Sequence, residues 1–222
     1  MVKFFKKYVF LQALFLTIVM FLIGMYIGIA FEDKNLDNAQ TFFSQSETSL
    51  MDIMALNDLL DSGKVSCDLL QQTNFDFANK IYHEAALLDD YEKSGRITDN
   101  FLYIHRKYDL LRTVLWMNAI KVKEQCNNSF STVVYLYNYE VEDLIIKAEQ
   151  TVWSKLLYEL KQDEGENILL IPIARSDDFI SLEALTNSLG ITQYPVVIVN
   201  EEHVFYDITS IEEIKNSISR PE

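Results

Sequence analysis

The segment GITQYPVVIVN, residues 190–200, carries the strongest fold signal in the chain. Gly190 closes an apolar helical pattern and is typical of a helix C-terminus, whereas the VVIV run after the proline is β-branched and predicts a buried strand. Pro195 has to lead from a three-residue turn directly into that strand. We therefore expect the peptide bond between Tyr194 and Pro195 to be cis.

The pattern around this segment predicts an α/β domain over residues 131–219. TVVYLYN (132–138) and NILLIPIA (167–174) read as strands, separated by the amphipathic helix EDLIIKAEQTVWSKLLYELKQ (142–162). SLEALTNSLG (181–190) is a second helix, and PVVIVN, HVFYDI and SIEEIKNSI follow as two strands and a closing helix. The order is β-α-β-α-β-β-α, with the first two strands parallel and the last two forming a hairpin.

This order, with a proline leading the strand after the second helix, resembles the thioredoxin fold over about two-fifths of the chain. The resemblance implies a groove at Tyr194 and Pro195 that accepts an extended peptide beside an uncapped edge strand. In redox-active members a cysteine pair opens the first helix of the domain. The corresponding vestigial position holds no cysteine here, and its residues are Glu140, Val141, Glu142, Asp143 and Leu144. Carboxylates at a helix start are typical of N-terminal capping.

The beginning of the chain predicts a membrane anchor. Residues 8–31 include no charged side chain and are long enough to cross a bilayer as a helix. Lysines at 3, 6 and 7 precede the segment and acidic residues at 32 and 33 follow it, so residues 1–7 are expected in the cytoplasm and the rest outside. A cleaved signal peptide is the alternative, but its apolar core is usually about 7–15 residues long.

Residues 32–126 predict a helical, coiled-coil-like stalk between the anchor and the α/β domain. No proline occurs in this region beyond the anchor, and Gly63 and Gly95 separate three stretches that each carry one apolar seam at alternating steps of three and four. Short connections favour antiparallel packing. The fold class is thus α+β: a transmembrane helix, a three-helix stalk containing an antiparallel hairpin, and a thioredoxin-like domain.

The only two cysteines, Cys67 and Cys126, open the second helical stretch and close the third. They lie symmetrically about the turn at Gly95, so an antiparallel hairpin brings them opposite one another. Two cysteines in an extracytoplasmic chain favour a disulfide. Two independent buried thiols are the alternative.

Charge and motifs exclude several function classes. The portion beyond the anchor carries 33 acidic and 16 basic residues, a formal charge of −17, which argues against nucleic acid as a partner. The three histidines lack metal-ligand spacing, and the sequence contains neither a phosphate loop nor a nucleophile elbow, so we expect no metal, cofactor or catalytic residue. Asn127 begins a glycosylation sequon.

We therefore expect a single-pass membrane protein that binds another, unidentified protein through a redox-inactive thioredoxin-like domain and is not an enzyme. Two alternatives stay open. One is a thiol-disulfide oxidoreductase in which Cys67 and Cys126 cycle. The other is an accessory subunit of a larger membrane complex, with the anchor as its docking surface and Gly24 and Gly28 allowing close helix approach.

Overall fold

The computed structural model describes residues 2–60, 65–93, 99–126, 130–139, 141–175 and 179–218. These residues form a mixed α+β structure in which the predicted order of strands and helices beyond residue 131 is present. The elements are α1 Val2–Leu60, α2 Cys67–Lys93, α3 Asp99–Gln125, β1 Ser131–Asn138, α4 Leu144–Glu164, a 3₁₀ turn Gly165–Asn167, β2 Ile168–Arg175, α5 Ile180–Ser188, β3 Val196–Val199, β4 His203–Phe205 and α6 Ile211–Asn216. Gly63 and Gly95, the predicted helix separators, lie outside the described residues.

The chain divides into two units, Met1–Phe42 and Phe43–Glu222. Within the first, the span Tyr8–Ile29 is 22 residues long, has a mean hydropathy of 2.3 and buries none of its length in the protein. A helix of this length and composition is able to cross a membrane. The structure therefore contains a candidate single-pass anchor where the sequence predicts one.

The second unit is built on a four-stranded mixed sheet with the order β2-β1-β3-β4. β1 pairs with β2 in parallel and with β3 antiparallel, and β3 pairs antiparallel with β4. β1 lies in the middle, which explains why its first six residues are all buried although only alternate side chains face the same side.

One face of the sheet packs against α4 and α6. The inward side of α4 contributes Trp153, Leu157 and Leu160, all at most 2% exposed, at the spacing of an amphipathic helix. They meet alternate residues of β1 and β3 and Ile214 of α6 in one apolar cluster. This half of the core follows directly from the period-two and period-3.6 patterns of the sequence.

The helices α2 and α3 belong to the same compact unit as the sheet, Phe43–Glu222. α3 packs against α2, β1, β2 and α5. The physical reason is that α3 is apolar on more than one side. Tyr108 and Leu115, seven residues apart, lie on one side and Trp116 on another, and all three are buried. A helix with two apolar sides needs contacts on both.

Buried polar side chains between the helices are bonded to one another. The amide of Asn118 donates to Oδ1 of Asn74 at 2.9 Å, and both side chains are buried. The carboxylate of Glu84 accepts from the hydroxyls of Ser46 at 2.6 Å and Tyr108 at 2.9 Å. Burial, with the Glu84 charge as a smaller cause, raises the pKa of Tyr108 well above its usual range. These bonds connect α1, α2 and α3 through buried polar side chains.

Cys67 and Cys126 form the predicted disulfide, with an S–S distance of 2.03 Å and a Cα–Cα distance of 5.6 Å. The bond joins the first residue of α2 to the residue that follows α3. Together with the Asn74–Asn118 bond it shows that α2 and α3 run antiparallel.

Candidate functional site

At one end of the sheet, the carboxyl ends of β1 and β2 lie beside the start of β3. We refer to this end, which is formed by strand termini, as the site edge. Asn138 pairs with Arg175, and Leu136 pairs with Val196, the first residue of β3. The Tyr194–Pro195 bond immediately before β3 is cis, as predicted. Ligands of sheets with parallel strands commonly bind at this edge, because the loops that follow the strands converge there.

The start of α4 lies at this edge and carries no thiol. Asp143 is the N-cap, and its carboxylate accepts from the backbone N–H of Ile145 at 2.8 Å. Glu142 is exposed and Val141 half-buried, whereas Glu140 lies outside the described residues. The capping interpretation is therefore confirmed for Asp143.

Apolar side chains at the same edge are unusually exposed. Leu144 and Ile145 at the start of α4 are 79% and 78% exposed, and Ile180 at the start of α5 is 81% exposed. A helix normally turns such residues toward the core. The sequence analysis placed Leu144 at the vestigial site, but it gave no reason to expect that this side chain or its neighbours face solvent.

A cavity of about 540 Å³ opens next to the tyrosine-proline pair. Arg175 and Tyr194 form one wall, with the guanidinium carbon 4.9 Å from the ring centroid, close enough for a cation–π contact. Helix α5 forms the other wall through Leu182, Glu183 and Asn187. The volume is that of a typical small-molecule pocket. The lining includes one positive side chain, Arg175, and one negative side chain, Glu183.

Two backbone groups on the outer edge of β2 are bonded to side chains. Alternate residues of a strand direct their backbone groups to the same side. On the outer side of β2, the ammonium of Lys161 donates to the carbonyl of Ile168 at 2.9 Å and Asp109 accepts from the N–H of Ala174 at 3.0 Å. Pro172, between them, has no N–H to offer. The remaining edge strand is β4.

Asp109 is a buried carboxylate with a mixed environment. Burial raises the pKa of Asp109, and the Arg112 guanidinium, the Ala174 N–H and His105 oppose the shift. The guanidinium and the carboxylate are 3.1 Å apart. This arrangement ties α3 to the end of β2 behind the candidate site, and it places no reactive group in the cavity.

A second buried polar network lies at the opposite end of β1. Its centre is the turn between β3 and β4, where Asn200 and Glu201 both have positive φ angles, 54° and 62°. The Glu201 carboxylate accepts from Trp116 at 2.8 Å, Thr132 at 2.7 Å and Lys123 at 3.1 Å. The sequence showed only a polar turn here, because nothing in a single sequence indicates which helix such a turn contacts.

The described residues that line the candidate cavity carry charged, amide, hydroxyl, aromatic and apolar side chains. Both cysteines are in the disulfide, and no cluster of metal-ligating residues occurs in the part of the chain that the structure describes. The ring of His105 packs against the ring of Tyr139, with the centroids 5.1 Å apart. The other two histidines are distant from His105 in the sequence. The sequon residue Asn127 lies outside the described residues.

Comparison with protein families, characterised proteins and solved structures gives no match.

Proposed function

We propose that the chain is a membrane-anchored, extracytoplasmic protein-interaction module whose binding domain, about residues 131–219, is thioredoxin-like and redox-inactive. The sheet order β2-β1-β3-β4, with β3 antiparallel to the other strands, supports the fold assignment together with the cis bond before β3. The observation that carries the function is the exposed apolar pair Leu144 and Ile145 at the helix start where the family resemblance expects thiols.

The bound segment is an extended polypeptide that lies across the edge formed by the ends of β1 and β2 and the start of β3. Leu144, Ile145 and Ile180 supply apolar contact, which gains about 25 cal/mol for each Å² buried. The backbone before Pro195 supplies hydrogen-bonding groups, and the cavity beside Tyr194 accepts one side chain of the segment. β2 is not the pairing strand, because Lys161 and Asp109 occupy its outer edge.

The candidate anchor Tyr8–Ile29 supports retention in a membrane, and the lysines before it support a cytoplasmic N-terminus. Protease protection of intact cells tests the orientation. We expect Phe43–Glu222 to be digested without permeabilisation, and protection of this unit would contradict the proposal. Detection of the intact N-terminus in the membrane fraction would exclude signal-peptide cleavage.

Photocrosslinking in native membranes tests the binding site. A photoreactive residue at Tyr194 of the full chain is expected to crosslink to a protein, whereas the same residue at Tyr158, an exposed position on the opposite end of α4, serves as the control. Equal crosslinking from both positions would contradict a binding site at the Tyr194 edge. An insulin-reduction assay on the same protein separates this function from a thiol-disulfide enzyme, for which turnover would be lost in Cys67→Ser.

A further inference from the structure

A smaller cavity lies at the outer edge of β2, between α2 and α4. Its volume is about 140 Å³, close to that of a cavity that holds a benzene ring. Ala78, Leu169 and the rings of Tyr82 and Tyr158 give it an apolar lining. The two tyrosines are 50% and 53% exposed, which places them at the entrance, whereas Leu169 is fully buried. The cavity therefore has room for one ring-sized apolar group that enters from solvent.

The charged side chain in the lining of this cavity is that of Lys161 on α4. Its ammonium donates to the carbonyls of Gly165 at 2.7 Å and Ile168 at 2.9 Å, and it lies 5.3 Å from the ring centroid of Phe75. These neighbours are neutral, and no carboxylate of the described residues forms an ion pair with Lys161. Burial lowers the pKa of Lys161, and the charge of Glu166 opposes this shift only in part. Lys161 is thus a half-buried cation without a counter-ion in contact.

A backbone N–H of β2 is directed to the same side. Ile168 and Ala174 present backbone groups at the outer edge of β2, and Pro172 is in phase with them. Alternation along the strand therefore directs the N–H of Leu170 outward as well. Leu170 lines the cavity, and no strand pairs with this edge of the sheet. The exposed amide of Gln162 adds a further donor. The cavity thus combines a cation and N–H donors with an apolar space.

We propose that this cavity binds a small organic carboxylate with a flat, ring-sized apolar body. The carboxylate supplies the counter-ion that Lys161 lacks. One of its oxygens accepts from the ammonium, which has three N–H groups and gives two of them to carbonyls, and the other accepts from the N–H of Leu170. The apolar body lies between Tyr82 and Tyr158.

A neutral ligand of the same size fits this cavity less well, because it would remove water from the Lys161 ammonium without balancing its charge. A carboxylate without a ring would leave the apolar lining unfilled. The cavity shares no lining residue with the one beside Tyr194, so the two proposals stand or fail separately.

Titration of the full chain in lipid nanodiscs with three probes tests the ligand class. Benzoate has both the ring and the carboxylate, benzyl alcohol has the ring without the charge, and acetate has the charge without the ring. We expect saturable binding of benzoate in saturation-transfer NMR, about ten-fold tighter or more than that of either other probe, with empty nanodiscs as the background. Affinity for benzyl alcohol or acetate equal to that for benzoate, or no saturable benzoate binding by about 10 mM, would each overturn the proposal.

Two variants locate the binding. Lys161→Met removes the charge and keeps the length of the side chain, and Ala78→Leu fills the cavity while leaving Lys161 in place. Each is expected to weaken benzoate binding about ten-fold or more, whereas Lys155→Met and Ala148→Leu, at exposed positions of α4, are the matched controls and retain it.

Thermal melting checks that each variant is folded. If Lys161→Met does not fold because two carbonyls lose their donor, Ala78→Leu and the comparison of the three probes still decide the question. Unchanged benzoate binding in a folded Lys161→Met or Ala78→Leu variant would refute the site.

Discussion

Removing the Cys67–Cys126 disulfide should cost much of the stability of the unit Phe43–Glu222. The bond closes a loop with a sequence separation of 59. The chain-entropy relation gives roughly 4 kcal/mol for a loop of this length at 25 °C. This is an upper value, because the Asn74–Asn118 bond and the α2–α3 packing restrain the reduced chain as well.

The test compares the double variant Cys67→Ala/Cys126→Ala with the wild-type protein, with and without a thiol reductant. Alanine avoids placing a hydroxyl at the buried Cys126. We expect urea denaturation to show a loss of about 2–4 kcal/mol in the variant, and a melting temperature lower by roughly 5–15 °C. The reductant should lower the free energy of unfolding of the wild-type protein by a similar amount and leave that of the variant unchanged.

Two results would refute this reasoning. A loss below about 1 kcal/mol in the double variant would mean that the contacts between α2 and α3 already restrain the unfolded chain. A stable variant that has lost partner binding or insulin reduction would instead give the cysteines a functional role, and the oxidoreductase alternative would be favoured.

Two further predictions concern the buried charges. Glu201→Ala leaves the buried Lys123 ammonium without its carboxylate and should lower the free energy of unfolding, measured in urea, by about 2–3 kcal/mol. Glu202→Ala, at the exposed neighbouring position, is the control and should change it by no more than about 0.5 kcal/mol. Equal losses in the two variants would contradict the network. Burial raises the pKa of Asp109 in the folded state, so the folded protein binds the proton of this carboxyl more tightly than the unfolded chain does. This contribution to stability is therefore lost as the pH rises from the unfolded-state pKa of 3.8 through the higher folded-state pKa. Measured against Asp109→Asn, the wild type should therefore be relatively less stable near pH 7 than near pH 4, and a difference that is constant with pH would contradict the assignment.

The sequence was sufficient where a pattern acts locally. The candidate anchor helix follows from a long uncharged run, and the elements beyond residue 131 follow from changes of hydrophobic period. The pairing of Cys67 with Cys126 follows from their symmetric positions in two antiparallel helices. The cis bond at Pro195 could be predicted because a proline had to connect a short turn to a strand. Each of these depends on residues that are close in the chain or related by a simple symmetry.

The sequence was insufficient where distant segments meet. The heptad-like seam of α3 suggested a separate stalk, but Trp116 and Asp109 on its other sides contact the β3–β4 turn and β2, which lie 85 and 65 residues away. Apolar periodicity shows that a helix has a buried side and does not show how many partners share it. The exposure of Leu144 and Ile145 could not be predicted for the same reason, because it depends on which distant segments meet at the site edge.

The most direct test of the central claim is the crosslink yield from Tyr194 in a variant that alters only the exposed apolar pair. Leu144→Asp/Ile145→Asp changes side chains that are more than three-quarters exposed, so the fold should be retained. Val152→Asp, an exposed position further along α4, is the matched control. We expect the double variant to lose most of the Tyr194 crosslink to the partner protein while Val152→Asp keeps it. A folded double variant with an unchanged crosslink would show that the apolar edge does not bind the partner.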